Sequence, residues 1–127
     1  MAYRPILCLD FDGVIHMYSS GWKGAAVIPD APVPGALEFI IQASEKFSVN
    51  IFSSRSHQQG GIQAMKMWLD YWQVDRELRP DIRISEIVHF PTEKPPAHIT
   101  LDDRAVTFNG TWPDLKNLLE FKPWNKK

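Results

Sequence analysis

A chain of 127 residues, 44% hydrophobic and 23% charged, has the size and balance of one globular domain with its own core. Its formal charge of −1 leaves no basic surplus to drive strong, sequence-independent nucleic-acid binding, and no apolar run approaches membrane-spanning length. Cys8 is the only cysteine, which excludes an internal disulfide, and the lack of a signal-type apolar segment after Met1 points to a cytoplasmic protein.

Taken in chain order, Ile6-Leu7-Cys8-Leu9 predicts a parallel strand covered on both faces, and it runs straight into Asp10-Phe11-Asp12-Gly13-Val14. Residues 14–34, rich in glycine and proline, predict an irregular, flap-like loop. Pro34 then opens a helix with Leu37, Ile40, Ile41 and Ser44 on one face. Ser48 to Phe52 predicts a second strand, ending at Ser53-Ser54-Arg55-Ser56. The next helix, from about Gly61 to Gln73, carries Ile62, Met65, Trp68, Leu69 and Trp72 at helical spacing, a core stripe rather than a ligand set.

A third strand is expected within Ile82 to Phe90, and Pro91 with Pro95-Pro96 excludes a helix after it. His98 to Leu101 predicts a fourth strand that delivers Asp102-Asp103-Arg104. Ala105 to Phe108 predicts a fifth, closed by Asn109-Gly110. Thr111 followed by Asp114 resembles a capping box before a last helix with Leu115, Leu118 and Leu119, and 122–127 form a polar tail. Strands alternating with helices imply parallel pairing with right-handed crossovers. The expected fold is a single domain, 1–127, built as a three-layer α/β/α sandwich on a central parallel, Rossmann-like sheet.

The polar groups fall in a pattern. Asp10 and Asp12, Ser53, and Asp102 and Asp103 each follow an apolar strand, so one edge of the sheet collects them all. About four negative charges at contact distance cost several kcal/mol unless a cation lies among them. Oxygen donors of this kind suit Mg2+, and no His/Cys spacing typical of zinc is present. Around such an ion, the Ser53 hydroxyl and the Lys94 ammonium suit phosphate oxygens. One carboxylate is suited to attack phosphorus, and a second to move protons.

With these residues in this order, the chain resembles the haloacid dehalogenase superfamily of aspartate-nucleophile phosphohydrolases. Asp10-Phe11-Asp12-Gly13-Val14 matches its first motif, Ile51-Phe52-Ser53 its second, Lys94 the lysine of its third and Leu101-Asp102-Asp103 its acidic fourth. The resemblance implies that Asp10 is the nucleophile and Asp12 the acid/base. It also implies Mg2+ held by the side chains of Asp10 and Asp102 and by the backbone carbonyl of Asp12. Asp103 is expected either to meet the metal through water or to orient Lys94. Because Asp12 is present, phosphate chemistry is implied rather than carbon–halogen cleavage. Ser53-Ser54-Arg55 and Asp102-Asp103-Arg104 further resemble the polynucleotide 3'-phosphatase type. Neither interval between motifs holds a cap module, so a capless member is implied.

Two readings stay open for Arg55 and Arg104: each either grips a second substrate phosphate, alongside Ser54, or pairs with a local acid. His16, His57, His89 and His98 have no partner motif and are assigned no catalytic role. Tyr18 and Trp22 either stack on a substrate ring or pack the flap. Trp112 and Trp124 read as core or terminal packing. The expected function is a Mg2+-dependent phosphomonoesterase, with nucleic-acid 3'-phosphate ends or nucleotides as substrate classes. The alternative is a non-catalytic Mg2+- or phosphate-dependent binding or signalling module. No membrane or protein partner is inferred.

Overall fold

In a computed structural model, which describes residues 3–126, three parallel strands form one sheet in the order β2-β1-β3. They are β1 (Ile6–Leu9), β2 (Ser48–Ile51) and β3 (Ile99–Leu101). Leu9 lies opposite both Ile51 and Leu101, so the strands end level and release Asp10, Phe52 and Asp102 at one edge. The ladder continues a step beyond them, with Asp10 N–H donating to Leu101 O (3.0 Å) and Phe52 N–H to Leu9 O (3.1 Å).

The period-2 geometry of a strand explains the core. Leu7, Leu9, Val49 and Ile51 share a face and join one buried cluster with α1 (Ala36–Ala43), α2 (Gly61–Asp75) and α3 (Ile84–Ile87). α1 supplies Leu37, Ile40 and Ile41, α2 supplies Met65, Trp68 and Leu69, and α3 supplies Ile84. Cys8 and Asn50 alternate to the other face and are also buried. Phe11, fully buried, meets the Trp68 ring edge-on at 5.0 Å and so ties the loop after β1 to α2.

Two expected strands are absent. Within Ile82 to Phe90 the chain makes the short helix α3, and only His89 reaches the sheet, by an isolated bridge to Asn50. Gln73 supplies the reason. Its side-chain amide donates to the carbonyls of Leu78 (3.2 Å), Arg79 (3.3 Å) and Ile82 (2.8 Å), and its oxygen accepts Ile84 N–H (2.9 Å). Those backbone groups are then unavailable for a ladder.

Residues Ala105 to Phe108 stay irregular and exposed. Phe108 instead packs locally on the exposed ring of Trp112, centroid to centroid 4.8 Å, while Asn109 Oδ1 accepts Thr111 N–H at 3.0 Å. The expected capping box is not formed: Asp114 itself occupies the N-cap of α4 (Leu115–Leu119), without a side-chain hydrogen bond. This helix has five residues and buries none of them. The described chain is therefore a small α/β protein with a three-stranded parallel sheet. No helix among the described residues is long and apolar enough to cross a membrane.

Candidate functional site

Asp10 leaves β1 and Asp102-Asp103 leave β3, and each of these three acids places an oxygen within 4.8 Å of the others. Local turns aim them. Asp10 Oδ1 accepts Phe11 N–H at 2.9 Å, and Asp102 Oδ1 accepts Arg104 N–H at 2.8 Å. The Asp103 side chain is only 2% exposed, yet neither of its carboxylate oxygens has a hydrogen-bond partner. The Arg104 guanidinium approaches no closer than 3.6 Å and is itself exposed. Burial, with Asp103 and Asp102 beside it, pushes the Asp10 pKa up from 3.8 to about 8. Two orphaned, buried carboxylate oxygens next to two further acids form a donor set that fits a hard, oxygen-seeking cation.

Asp12 turns to a different set of neighbours. Its Oδ1 accepts from His16 Nδ1 at 2.8 Å and from Arg55 Nε and Nη2 at 3.2 and 3.1 Å, while Oδ2 accepts from Arg55 Nε at 3.0 Å. Burial favours the neutral acid, but the hydrogen bonds from His16 and Arg55 outweigh it and hold the Asp12 carboxyl below the ordinary carboxylate range. Arg55, fully buried, spends its remaining donor group on the flap, with Nη1 reaching the carbonyls of Gly24 (2.9 Å), Ala25 (2.9 Å) and Val27 (3.1 Å). The Trp22 ring lies 4.8 Å from the guanidinium carbon. Arg55 thus pairs with a local acid and offers no face to a second phosphate, and Trp22 packs the flap onto it.

Ser53 is buried at the end of β2, where its Oγ accepts Arg55 N–H at 3.1 Å and its own N–H donates to Ser56 Oγ at 3.0 Å. Ser54 is exposed, and its carbonyl accepts the Gln58 amide at 2.8 Å. Lys94 stands exposed in the proline-rich segment, and no ion pair joins it to an acid among the described residues. Its charge still reaches β1: it partly offsets the upward push that burial gives the Cys8 thiol. Trp124, half-exposed, donates from Nε1 to Gly13 O at 2.7 Å, which brings the C-terminal turn against the first acidic loop.

No family model, no curated protein and no solved structure matches the chain. The geometry of the site therefore carries the functional argument.

A cavity of about 930 Å³ between α2 and α3 is lined by Asp70, Gln73, Arg83 and Glu86 and holds none of the expected site residues. Its one arginine, Arg83, is taken by Asp70 and Glu86. Among the described residues the buried side-chain atoms without a partner are both oxygens of Asp103, at the end of β3, and Asn125 Oδ1; the charged pair of oxygens is where chemistry is to be sought. Sequence reasoning missed His16. It belongs to no motif, and the donor to its Nε2, Asp30 N–H at 3.1 Å, comes from fourteen residues further along the chain.

Proposed function

We propose that the protein is a Mg2+-dependent phosphomonoesterase of the haloacid dehalogenase type, a capless three-layer α/β/α enzyme working through an aspartyl-phosphate on Asp10. One observation carries the reading: the buried, unpartnered carboxylate of Asp103 meets Asp10 and Asp102 where two parallel strands end. Such a cluster is relieved either by a proton, which the raised Asp10 pKa favours, or by a shared cation, and the strand ends of a parallel sheet are where α/β proteins place ligands.

The side chains of Asp10, Asp102 and Asp103, with the carbonyl of Asp12, would hold the ion. Mg2+ bound there neutralises the acids and draws charge from the phosphoryl oxygens. In the first step an Asp10 oxygen forms a bond to phosphorus as the ester P–O bond breaks, and Asp12 gives its proton to the departing alkoxide. In the second, Asp12 takes a proton from water as that water's oxygen bonds to phosphorus, releasing phosphate and restoring Asp10. The resting, ionised state of Asp12 suits the second step. The negative charge of an arriving phosphate raises its proton affinity for the first. Ser53 and Lys94 hold the transferring oxygens.

Nucleic-acid 3'-phosphate ends and nucleotides are the proposed substrate classes. Ser54 and Arg104, both exposed, are the groups that support this reading, since Arg55 is occupied. A non-catalytic binding or signalling module would have no use for Asp12, which follows Asp10 by two residues and is held by three side-chain donors. The test is phosphate release from a panel of phosphomonoesters, including 3'- and 5'-phosphorylated oligonucleotides and free nucleotides. Turnover that needs Mg2+ and vanishes in Asp10→Asn is expected; turnover undiminished by that substitution would overturn the mechanism.

A further inference from the structure

We infer that His16 and Arg55 are positioning residues for Asp12, which together leave Oδ2 as the oxygen that gives and takes protons. The consequence for turnover rests on the phosphatase reading; the hydrogen-bond pattern itself does not.

The two oxygens of Asp12 differ in their donors. Asp12 Oδ1 accepts from His16 Nδ1, Arg55 Nε and Arg55 Nη2, whereas Oδ2 accepts only from Arg55 Nε. A carboxylate oxygen has two lone-pair directions, so Oδ1 is filled and Oδ2 keeps one open. His16 can hold Oδ1 only if its ring proton sits on Nδ1. Asp30 N–H fixes that tautomer by donating to Nε2 at 3.1 Å, so Nε2 acts as acceptor. The Asp30 carboxylate lies 3.7 Å from Nε2, beyond hydrogen-bond distance, and is taken instead by the N–H and hydroxyl of Ser20.

The His16 ring is fully buried beside Phe11, Tyr18 and Trp68, at centroid distances of 5.6, 5.9 and 5.7 Å. Its backbone closes the first acidic loop, with N–H donating to Phe11 O (2.9 Å) and its carbonyl accepting Gly13 N–H (2.8 Å). Asp30 is anchored in turn, its carbonyl accepting Trp68 Nε1 at 3.0 Å. Arg55 binds the flap carbonyls from the other side. The flap therefore serves Asp12: residues 16 and 30 set one donor and the carbonyls at 24, 25 and 27 hold the other. A misaimed acid loses most of its effect on a proton in flight, because proton transfer needs hydrogen-bond reach.

Two measurements test this. In 15N spectra of the resting protein, with no substrate, the His16 ring should show a protonated Nδ1 and a bare Nε2, and its Nδ1 signal should move in Asp12→Ala. The Nε2-protonated tautomer, or a signal indifferent to Asp12, would overturn the inference. In kinetics, an alkyl phosphate needs its leaving group protonated and p-nitrophenyl phosphate does not. His16→Ala should lower kcat/KM for the alkyl ester by about a hundredfold, at the low end of general-acid effects. The nitrophenyl ester should change less than about threefold, judged against that same range. His16→Asn, whose amide can donate to the same oxygen, should recover most of the loss. Equal losses on both esters would overturn the inference and leave the phosphatase reading standing. If the wild-type protein hydrolyses neither ester, the phosphatase reading falls, and the imidazole tautomer then decides the inference by itself.

Discussion

Gly13 and Asp103 meet with no room for a side chain between them: a β-carbon at position 13 would overlap the Asp103 carboxylate. Gly13 also sits at φ 83°, in the left-handed region where other residues are strained. Gly13→Ala should therefore cost about 1–3 kcal/mol of stability from backbone strain and displace Asp103 as well. Thermal denaturation with and without Mg2+ checks both effects. The variant should melt lower and lose most of the Mg2+-induced rise in Tm. An unchanged Tm would contradict the close approach.

The acids also set a pH signature. Asp10 is raised from 3.8 to about 8, so in metal-free protein its contribution to stability is fully present near pH 4 and is lost as pH rises towards 8. Asp12 is lowered, so its contribution is present at neutral pH and lost as pH falls below the ordinary carboxylate value. Mg2+ competes with protons for the cluster, and its stabilising effect should grow from pH 5 to pH 8. Asp10→Asn should flatten the slope of Tm between pH 5 and 8 and leave the acid limb in place. Calorimetry across that range is the measurement, and an unchanged slope in the variant would count against the assigned pKa.

Gln73 organises the turn between α2 and α3 through four hydrogen bonds to backbone groups. Gln73→Leu keeps the volume but leaves the Leu78 and Ile82 carbonyls and the Ile84 N–H without partners, while Arg79 O keeps its bond from Ile82 N–H at 3.1 Å. A loss of about 2–3 kcal/mol is expected, the usual cost of stranding buried polar groups. Urea unfolding measures it, and a change within experimental error would mean that the α3 turn holds without Gln73.

The same residue explains where sequence reasoning stops. β1, β2, α1 and α2 were legible because apolar runs and helical spacing are local properties, and the acids at strand ends followed from them. Ile82-Arg83-Ile84 reads as a strand by composition, yet Gln73, eleven positions before Ile84, claims that backbone. Alternation at Ala105 to Phe108 was equally uninformative, because Phe108 finds Trp112 instead of a neighbouring strand. In the site, Asp10, Asp102 and Asp103 were legible together, but the partners of Asp12 were not. His16 meets Asp30 from fourteen residues away, and Arg55 meets the carbonyls at 24, 25 and 27 from still further, contacts that no local pattern announces.

Arg55 and Arg104 should now separate in substrate kinetics. Arg104 is exposed beside the cluster, so Arg104→Ala should raise KM for a 3'-phosphorylated oligonucleotide on the order of tenfold, the worth of one charge-assisted hydrogen bond, and leave a mononucleotide nearly unaffected. Arg55→Ala should lower kcat on both. Steady-state kinetics at matched, low ionic strength compares them. A preference for small metabolites with no effect of Arg104 would remove nucleic-acid ends from the proposed substrates.

The proposed mechanism places the phosphoryl group on Asp10. Crystals grown with Mg2+ and beryllium fluoride test it most directly, since the fluoride complex bonds to the attacking oxygen as phosphorus would. Beryllium is expected on an Asp10 oxygen, with a cation shared by Asp10, Asp102 and Asp103. Beryllium bonded to Ser53, or a cation held away from the three acids, would contradict it.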